Sequence, residues 1–315
     1  MKALLYRSEL ELVVADLDMP APADGDVLIR VAAAGVCGSE VEGFATRSPF
    51  RKPPLVMGHE FAGHRADDGT LVAVNPLIAC GACRDCRRGR TNVCERRVLL
   101  GIQRDGGFAE YVAVPRANCH PLPAGVSAVR GAFVEPMANA VHAAGLVAED
   151  LADALDIGVI GAGMMGMAML LVLRAGGFAA VDVADLSADR TAVAAASGAR
   201  SVSTRLGGSY DVIIDTVGTA RTRADSLELL RPGGATVWLG LHEESSDMDC
   251  RAMIRGEKRI LGSFCYRDDE FRAAVPMAAS VDERWLELRD LSAGVDVFDE
   301  LMRGPSRHVK TMLIP

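Results

Sequence analysis

The stretch that most restricts how this chain can fold is residues 156–185, DIGVIGAGMMGMAMLLVLRAGGFAAVDVAD. Residues 157–160 read as a buried strand, Gly161-Ala-Gly163-Met164-Met165-Gly166 as a tight turn, and 167–175 as an apolar helix. A second short strand, 180–183, runs up to Asp185. In such a β-α-β unit Gly161 permits the turn, Gly163 lets a pyrophosphate approach the main chain, and Gly166 lets helix and strand pack closely. The helix start then presents free N–H groups to a dianion. An acid 22 residues after Gly163 completes the pattern for a dinucleotide. Asp185 is placed to hydrogen-bond both ribose hydroxyls of NAD and to repel the 2′-phosphate of NADP. Its other reading is a cap for a helix starting near Leu186.

A chain of 315 residues exceeds what one core comfortably holds, so two domains are expected. A formal charge of −8 leaves no electrostatic footprint for nucleic acid. No apolar run approaches the ~20 residues of a membrane span, and the N-terminal stretch breaks into charge too early for a signal peptide. A cytoplasmic protein is expected, with its eight cysteines reduced or bound to metal.

Four of those cysteines are clustered. Cys80, Cys83, Cys86 and Cys94 have C-x2-C-x2-C-x7-C spacing with few large apolar residues between them. That suits a closed, structural zinc shell of four thiolates, with no position left for substrate. Two other readings are a redox-active C-x-x-C, which lacks a surrounding thioredoxin-like βαβ, and a zinc knuckle on nucleic acid. The acidic chain and the missing stacking aromatics count against the knuckle.

Residues 1–35 read as an antiparallel, β-rich opening. Its strand at 27–31 leads to Cys37 on a glycine-flanked loop, and His59 follows at a second turn, in Met57-Gly58-His59-Glu60. A thiolate and an imidazole from separate loops are plausible zinc ligands, although buried free cysteines are common.

These motifs together resemble a family. Gly35-Val-Cys37-Gly-Ser39, Gly58-His59-Glu60, the four-cysteine lobe, Asp105-Gly-Gly-Phe-Ala-Glu-Tyr111, Glu135-Pro136 and the glycine turn occur in the order seen in zinc-dependent medium-chain alcohol/polyol dehydrogenases. The likeness is greatest to the sorbitol and threonine dehydrogenases, since Glu135 stands where the alcohol dehydrogenases proper carry a third cysteine ligand. The resemblance implies an α/β chain made of a β-rich GroES-like catalytic domain, 1–153, and a shortened Rossmann domain with a doubly wound parallel sheet, 154–284. Residues 285–315 would return to the catalytic domain. The Rossmann domain is shortened because only six residues, 204–209, separate its third and fourth strands. A parallel crossover needs roughly 10–12 or more, so either the helix is missing or the third strand is displaced.

The resemblance also implies two zinc ions per chain, one structural and one catalytic. The catalytic ion would be held by Cys37, His59 and a carboxylate, either Glu60 or Glu135. Glu60 could instead support His59, and Glu135 could sit at a helix start. Ser39 matches the family's proton-relay hydroxyl; its other reading is a cap for a helix beginning at Glu40. Where relatives often complete the relay with histidine this chain has Glu42, so the outer acceptor is Glu42 or water. Glu40 stands where an aspartate usually supports the ligand histidine. On the cofactor side the resemblance implicates Arg190 beside the adenosine, and Val217, Leu239, Gly240, Leu241, Ser263 and Phe264 beside the nicotinamide. Phe44, Phe50 and Phe108 are candidate pocket walls.

The implied activity is NAD-dependent oxidation of a secondary alcohol on a polyol, sugar alcohol or cyclitol to the ketone, by a homodimer or homotetramer. L-Threonine 3-dehydrogenase is the alternative, suggested by Cys86-Arg-Arg-Gly89-Arg and Asn139-Ala-Val-His142. An NAD-binding protein without turnover is the alternative of another class. Small-molecule alcohol and ketone are the only partners expected besides a second copy, with neither nucleic acid nor membrane.

Overall fold

The alternating buried and exposed residues of 26–35 form the longest strand of the chain, Asp26–Gly35, and the first unit is assembled around it. The structure is a computed structural model and describes residues 1–304 and 306–315. Two compact units divide the chain: Met1–Ala138 with Arg267–Pro315, and Asn139–Tyr266. The breaks thus fall after Ala138 and Tyr266, where the sequence reading put them after 153 and 284.

In the first unit a seven-stranded sheet has the order Cys119–Pro121, Leu71–Val74, Glu60–Arg65, Asp26–Gly35, Lys310–Ile314, Leu286–Asp290, with Tyr111–Pro115 also paired to Asp26–Gly35. Register puts Gly35 opposite Glu60 on one side and opposite Met312 on the other. The last strand of the chain therefore lies beside the segment that follows Gly58. A second sheet of three strands, Glu11–Asp16, Lys2–Ser8 and Leu55–Val56, completes the unit. The turn after Glu60–Arg65 is short, as its length predicts, and His64 at its edge contacts the Gly69 carbonyl at 3.1 Å.

Phe44 and Phe108 are not pocket walls. They are 5 % and 0 % exposed and stack edge-on with Tyr6 and Phe298 at centroid separations of 5.4 to 6.1 Å. Fully burying one such ring contributes about 1.5–3 kcal/mol, and helix Gly294–Arg303 supplies Phe298 to receive both. Phe50, by contrast, is exposed.

In the second unit all four residues of Ile157–Ile160 are buried, as expected of a parallel strand covered on both faces. The six-stranded parallel sheet runs Ser201–Ser203, Val181–Ala184, Ile157–Ile160, Tyr210–Asp215, Leu230–Trp238, Arg259–Gly262. Strand order reverses between Ile157–Ile160 and Tyr210–Asp215, which opens a crevice at their carboxyl ends. The third strand occupies the far edge, and no helix stands between it and the fourth. At the opposite, amino-terminal side, Arg200 and Arg231 bridge Asp156, Asp182 and Asp211. No described helix is long and apolar enough to cross a membrane.

Candidate metal centres and cofactor site

Helix Gly38–Ala45 begins directly after Cys37, which sits in extended conformation at its N-cap. Glu40, in the first turn, reaches back to accept the Cys37 N–H at 3.0 Å, an arrangement that fixes the ligand loop from below. Ser39 lies inside the helix, so it is not its cap. The other Glu40 oxygen accepts from the backbone N–H of Gly58 (2.9 Å) and of His59 (3.0 Å) and contacts His59 Nδ1 at 2.8 Å. One buried carboxylate thus ties together two loops that are 22 residues apart. Because Nδ1 faces a carboxylate it keeps its proton, so Nε2 is the nitrogen that would give up its proton when a metal binds. Gly58 has φ +98°, and a Cβ there would lie 2.7 Å from Phe108, so only glycine lets His59 turn inward.

Donor atoms of Cys37, His59 and Glu60 lie within 4.8 Å of one another. A thiolate, an imidazole and a carboxylate from three separate positions, leaving room for a fourth ligand, fit a catalytic zinc. Glu135 is buried in the first turn of helix Val134–Leu146 and does not belong to that donor group. Burial works against a charge on His59, yet Glu40 and the Cys37 sulfur outweigh it and hold the imidazole well above its ordinary range. Burial likewise opposes the Glu40 carboxylate, but His59 and then Arg51 keep its pKa low.

Two further charged residues meet this site, and sequence spacing pointed to neither. Lys310, buried in the last strand, sits 2.7 Å from the Glu60 carboxylate and donates to the Val36 carbonyl at 3.2 Å. Gly35 makes room for this, since a Cβ there would lie 2.5 Å from Glu60 Oε2. Arg51, also buried, donates from Nη2 to Ser39 Oγ at 3.3 Å, while the Ser39 hydroxyl donates to Cys37 Sγ at 3.4 Å. Glu42 is exposed on the same helix, and the hydrogen bonds of the Ser39 hydroxyl run to Cys37 and Arg51 and not to Glu42.

The four-cysteine lobe is pinched off by the strand pair Leu77–Ile78 and Val98–Leu99. All four thiols are free and their sulfurs lie within 4.8 Å of one another. Cys80 and Cys86 sulfurs are 3.9 Å apart, and those of Cys83 and Cys94 are 3.8 Å apart. Four ligands at a Zn–S length of about 2.3 Å stand roughly 3.8 Å from each other, so the lobe fits a structural zinc. A backbone N–H at Ala82 brings the Cys80 thiol down to about 6, and burial among its neighbours pushes Cys86 up to about 12.

In the second unit the helix after the glycine turn spans Met164–Ala175, with Gly163 as its N-cap and no side chain closing it. Gly161 has φ +96°, and a Cβ on Gly166 would lie 1.8 Å from the Gly161 carbonyl. The turn is thus a cradle of backbone N–H groups that fits a pyrophosphate. Asp185 accepts from Ala162 N–H at 2.7 Å and from Ser187 N–H at 2.8 Å. The following helix, Ala188–Ala196, is capped by Ser187 and not by Asp185. Arg190 lies against the turn, 3.6 Å from a Cβ built on Gly163. Val217, Leu239, Gly240, Leu241, Ser263 and Phe264 all follow the carboxyl ends of Tyr210–Asp215, Leu230–Trp238 and Arg259–Gly262, the edge where the turn also sits. Buried Asp215 holds this edge by accepting from Val217 and Gly218 N–H.

Residues 23–124 match the alcohol dehydrogenase GroES-like domain and residues 165–280 the zinc-binding dehydrogenase domain. L-Galactonate-5-dehydrogenase of Escherichia coli K12 is 33 % identical over 84 % of this chain and 83 % of its own. L-Threonine 3-dehydrogenase of Streptomyces coelicolor is 31 % identical over 84 % of each. A zinc-binding dehydrogenase from Sinorhizobium meliloti 1021, solved with NADP, superposes with a TM-score of 0.90 at 29 % identity, over 100 % of this chain and 99 % of that one. The chain belongs to the zinc-dependent medium-chain alcohol dehydrogenases.

Proposed function

We propose that the protein oxidises a secondary alcohol of a polyol, sugar alcohol or cyclitol to the ketone with NAD, and reduces it in reverse. The observation that carries this reading is the donor group of Cys37, His59 and Glu60 with the Ser39 hydroxyl in contact with the thiol. These three residues would hold the catalytic zinc, which supplies Lewis acidity toward a substrate hydroxyl. Glu40 orients His59 and anchors both ligand loops. Among the described residues Ser39 carries the one hydroxyl that bonds to Cys37, so it is the group that takes the alcohol proton outward. Ser39 makes no hydrogen bond to Glu42, which favours water as the outer acceptor. Glu135 stands outside the donor group and is read as a neighbour of the site. Cys80, Cys83, Cys86 and Cys94 would hold the structural zinc.

The glycine turn binds the pyrophosphate, and Asp185 selects NAD by its charge. The NADP in the Sinorhizobium protein makes this selection a point to test. Arg190 belongs to the adenosine side, and Val217, Leu239, Gly240, Leu241, Ser263 and Phe264 to the nicotinamide side. A cytoplasmic homo-oligomer is part of the same reading; the cysteines form no disulfide among the described residues, which suits a reducing compartment. Threonine oxidation is the second reading, favoured by the Streptomyces relative. The decisive assay is NADH formation by zinc-loaded protein over a panel of polyols, cyclitols, sugar acids and L-threonine, with a chelator-treated control. Chelator-sensitive turnover on one class selects it, and turnover on threonine alone would overturn the polyol reading.

A further inference from the structure

Arg51 is a buried cation that forms no ion pair among the described residues. It is 7 % exposed, and no carboxylate among the described residues lies within 4.0 Å of its guanidinium. Its Nη2 donates to Ser39 Oγ at 3.3 Å, and its Nε is buried with no hydrogen-bond partner. Glu40 supplies the nearest recorded negative charge, but its two oxygens are already engaged by Cys37, Gly58 and His59. Arginine in a protein interior is ordinarily paired, because its desolvation is otherwise uncompensated. A planar guanidinium with donors to spare is also the side chain best suited to a carboxylate or phosphate.

Position decides which anion this can be. Ser39 touches both Arg51 and the Cys37 sulfur, so any hydroxyl that reaches Ser39 stands one hydrogen bond from the guanidinium. Ser39 and Cys37 are half-buried, whereas Arg51 is buried. We propose that Arg51 is a specificity-determining residue that receives an anionic group of the substrate, a carboxylate or a phosphate monoester, close along the carbon chain to the reacting hydroxyl. The inference rests on the dehydrogenase reading and deepens it from polyols in general to acidic ones. A site with a buried donor of this kind rejects the analogue lacking its partner far more strongly than a methylene pocket does.

The test is the ratio of kcat/KM on acidic to neutral substrates, taken over five- and six-carbon aldonates, polyol phosphates and the parent polyols. It is measured for wild type, Arg51→Gln and Arg51→Lys, all zinc-loaded. Wild type is expected to favour one acidic class by on the order of 10²-fold or more. Arg51→Gln is expected to collapse that ratio, and Arg51→Lys to hold an intermediate one. Partial misfolding lowers both rates alike and leaves the ratio unmoved. A carboxylate preference identifies sugar acids as the source and a phosphate preference identifies phosphorylated polyols. A wild-type preference for neutral polyols, or a ratio unchanged in Arg51→Gln, overturns the proposal. Calorimetric titration of the same aldonates and polyol phosphates into NADH-saturated protein separates this from the activity itself. If no alcohol is turned over, the dehydrogenase reading fails, yet anion binding weakened by Arg51→Gln still upholds the anion site. Equal binding by both proteins, or none, overturns it.

Discussion

Lys310 and Glu60 form a buried ion pair at 2.7 Å, and Glu60 is also one of three residues, with Cys37 and His59, whose donor atoms lie within 4.8 Å of one another. With zinc bound as proposed, one carboxylate would answer to two cations, the metal and an ammonium from the last strand. Removing one partner of a buried pair costs about 3–5 kcal/mol, because the other charge is left uncompensated. Lys310→Met is expected to lose that much in metal-free protein and clearly less once zinc is bound to Glu60. Denaturant unfolding with and without zinc measures both losses; equal losses would mean that Glu60 does not engage the metal.

Glu40 bonds to three backbone N–H groups and to His59 Nδ1. Glu40→Gln keeps the shape but places an amide where N–H groups converge. Zinc affinity at the Cys37 site is expected to fall about 10- to 100-fold, as read by chelator competition. Retention of the lobe zinc in the same variant localises the effect.

Cys83 holds the lobe by its sulfur and by accepting the Cys86 N–H. Cys83→Ser should release about one zinc per chain and lower the unfolding temperature by several degrees. Full metal content in a variant of wild-type stability would remove the structural role.

Asp185 accepts from Ala162 N–H in the glycine turn, so its carboxylate shapes the turn as well as its charge. Asp185→Ser should raise kcat/KM with NADP relative to NAD by about 10-fold or more. An unchanged ratio would mean that another group reads the ribose.

Asp182 carries a pH dependence with a definite sign. Its hydrogen bonds to Arg200 hold its carboxyl below the ordinary aspartate value, against the opposing effect of burial. A carboxyl depressed in the folded state contributes stability that is complete above its unfolded pKa of about 3.9 and is lost as pH falls through the folded value. Asp182→Asn should therefore cost about 1–3 kcal/mol at pH 7, and the difference from wild type should shrink below about pH 4. Urea titrations at both pH values read it, and a difference that persists in acid would assign the loss to packing.

The sequence by itself determined what depends on local spacing. The glycine turn, the strand before it and the acid after it form one short segment whose backbone geometry admits few other solutions. The four-cysteine lobe closes within 15 residues for the same reason, and Cys37 and His59 stood out on the loops that present them, while Glu60 and Glu135 came as alternatives from the family resemblance. Only the tertiary structure decided which partners those residues meet. Glu60 joined the donor group ahead of Glu135 because its strand lies opposite Gly35. Lys310, 250 residues from Glu60, reached it because the final strand pairs beside that same glycine. Phe44 and Phe108 went to the core because helix Gly294–Arg303 brings Phe298 against them. Arg51 came against Ser39 through the loop that follows helix Gly38–Ala45, where no periodicity marks it. Periodicity and spacing act along the chain, whereas a charge buried across a sheet depends on which strands become neighbours, and that is a property of the whole fold.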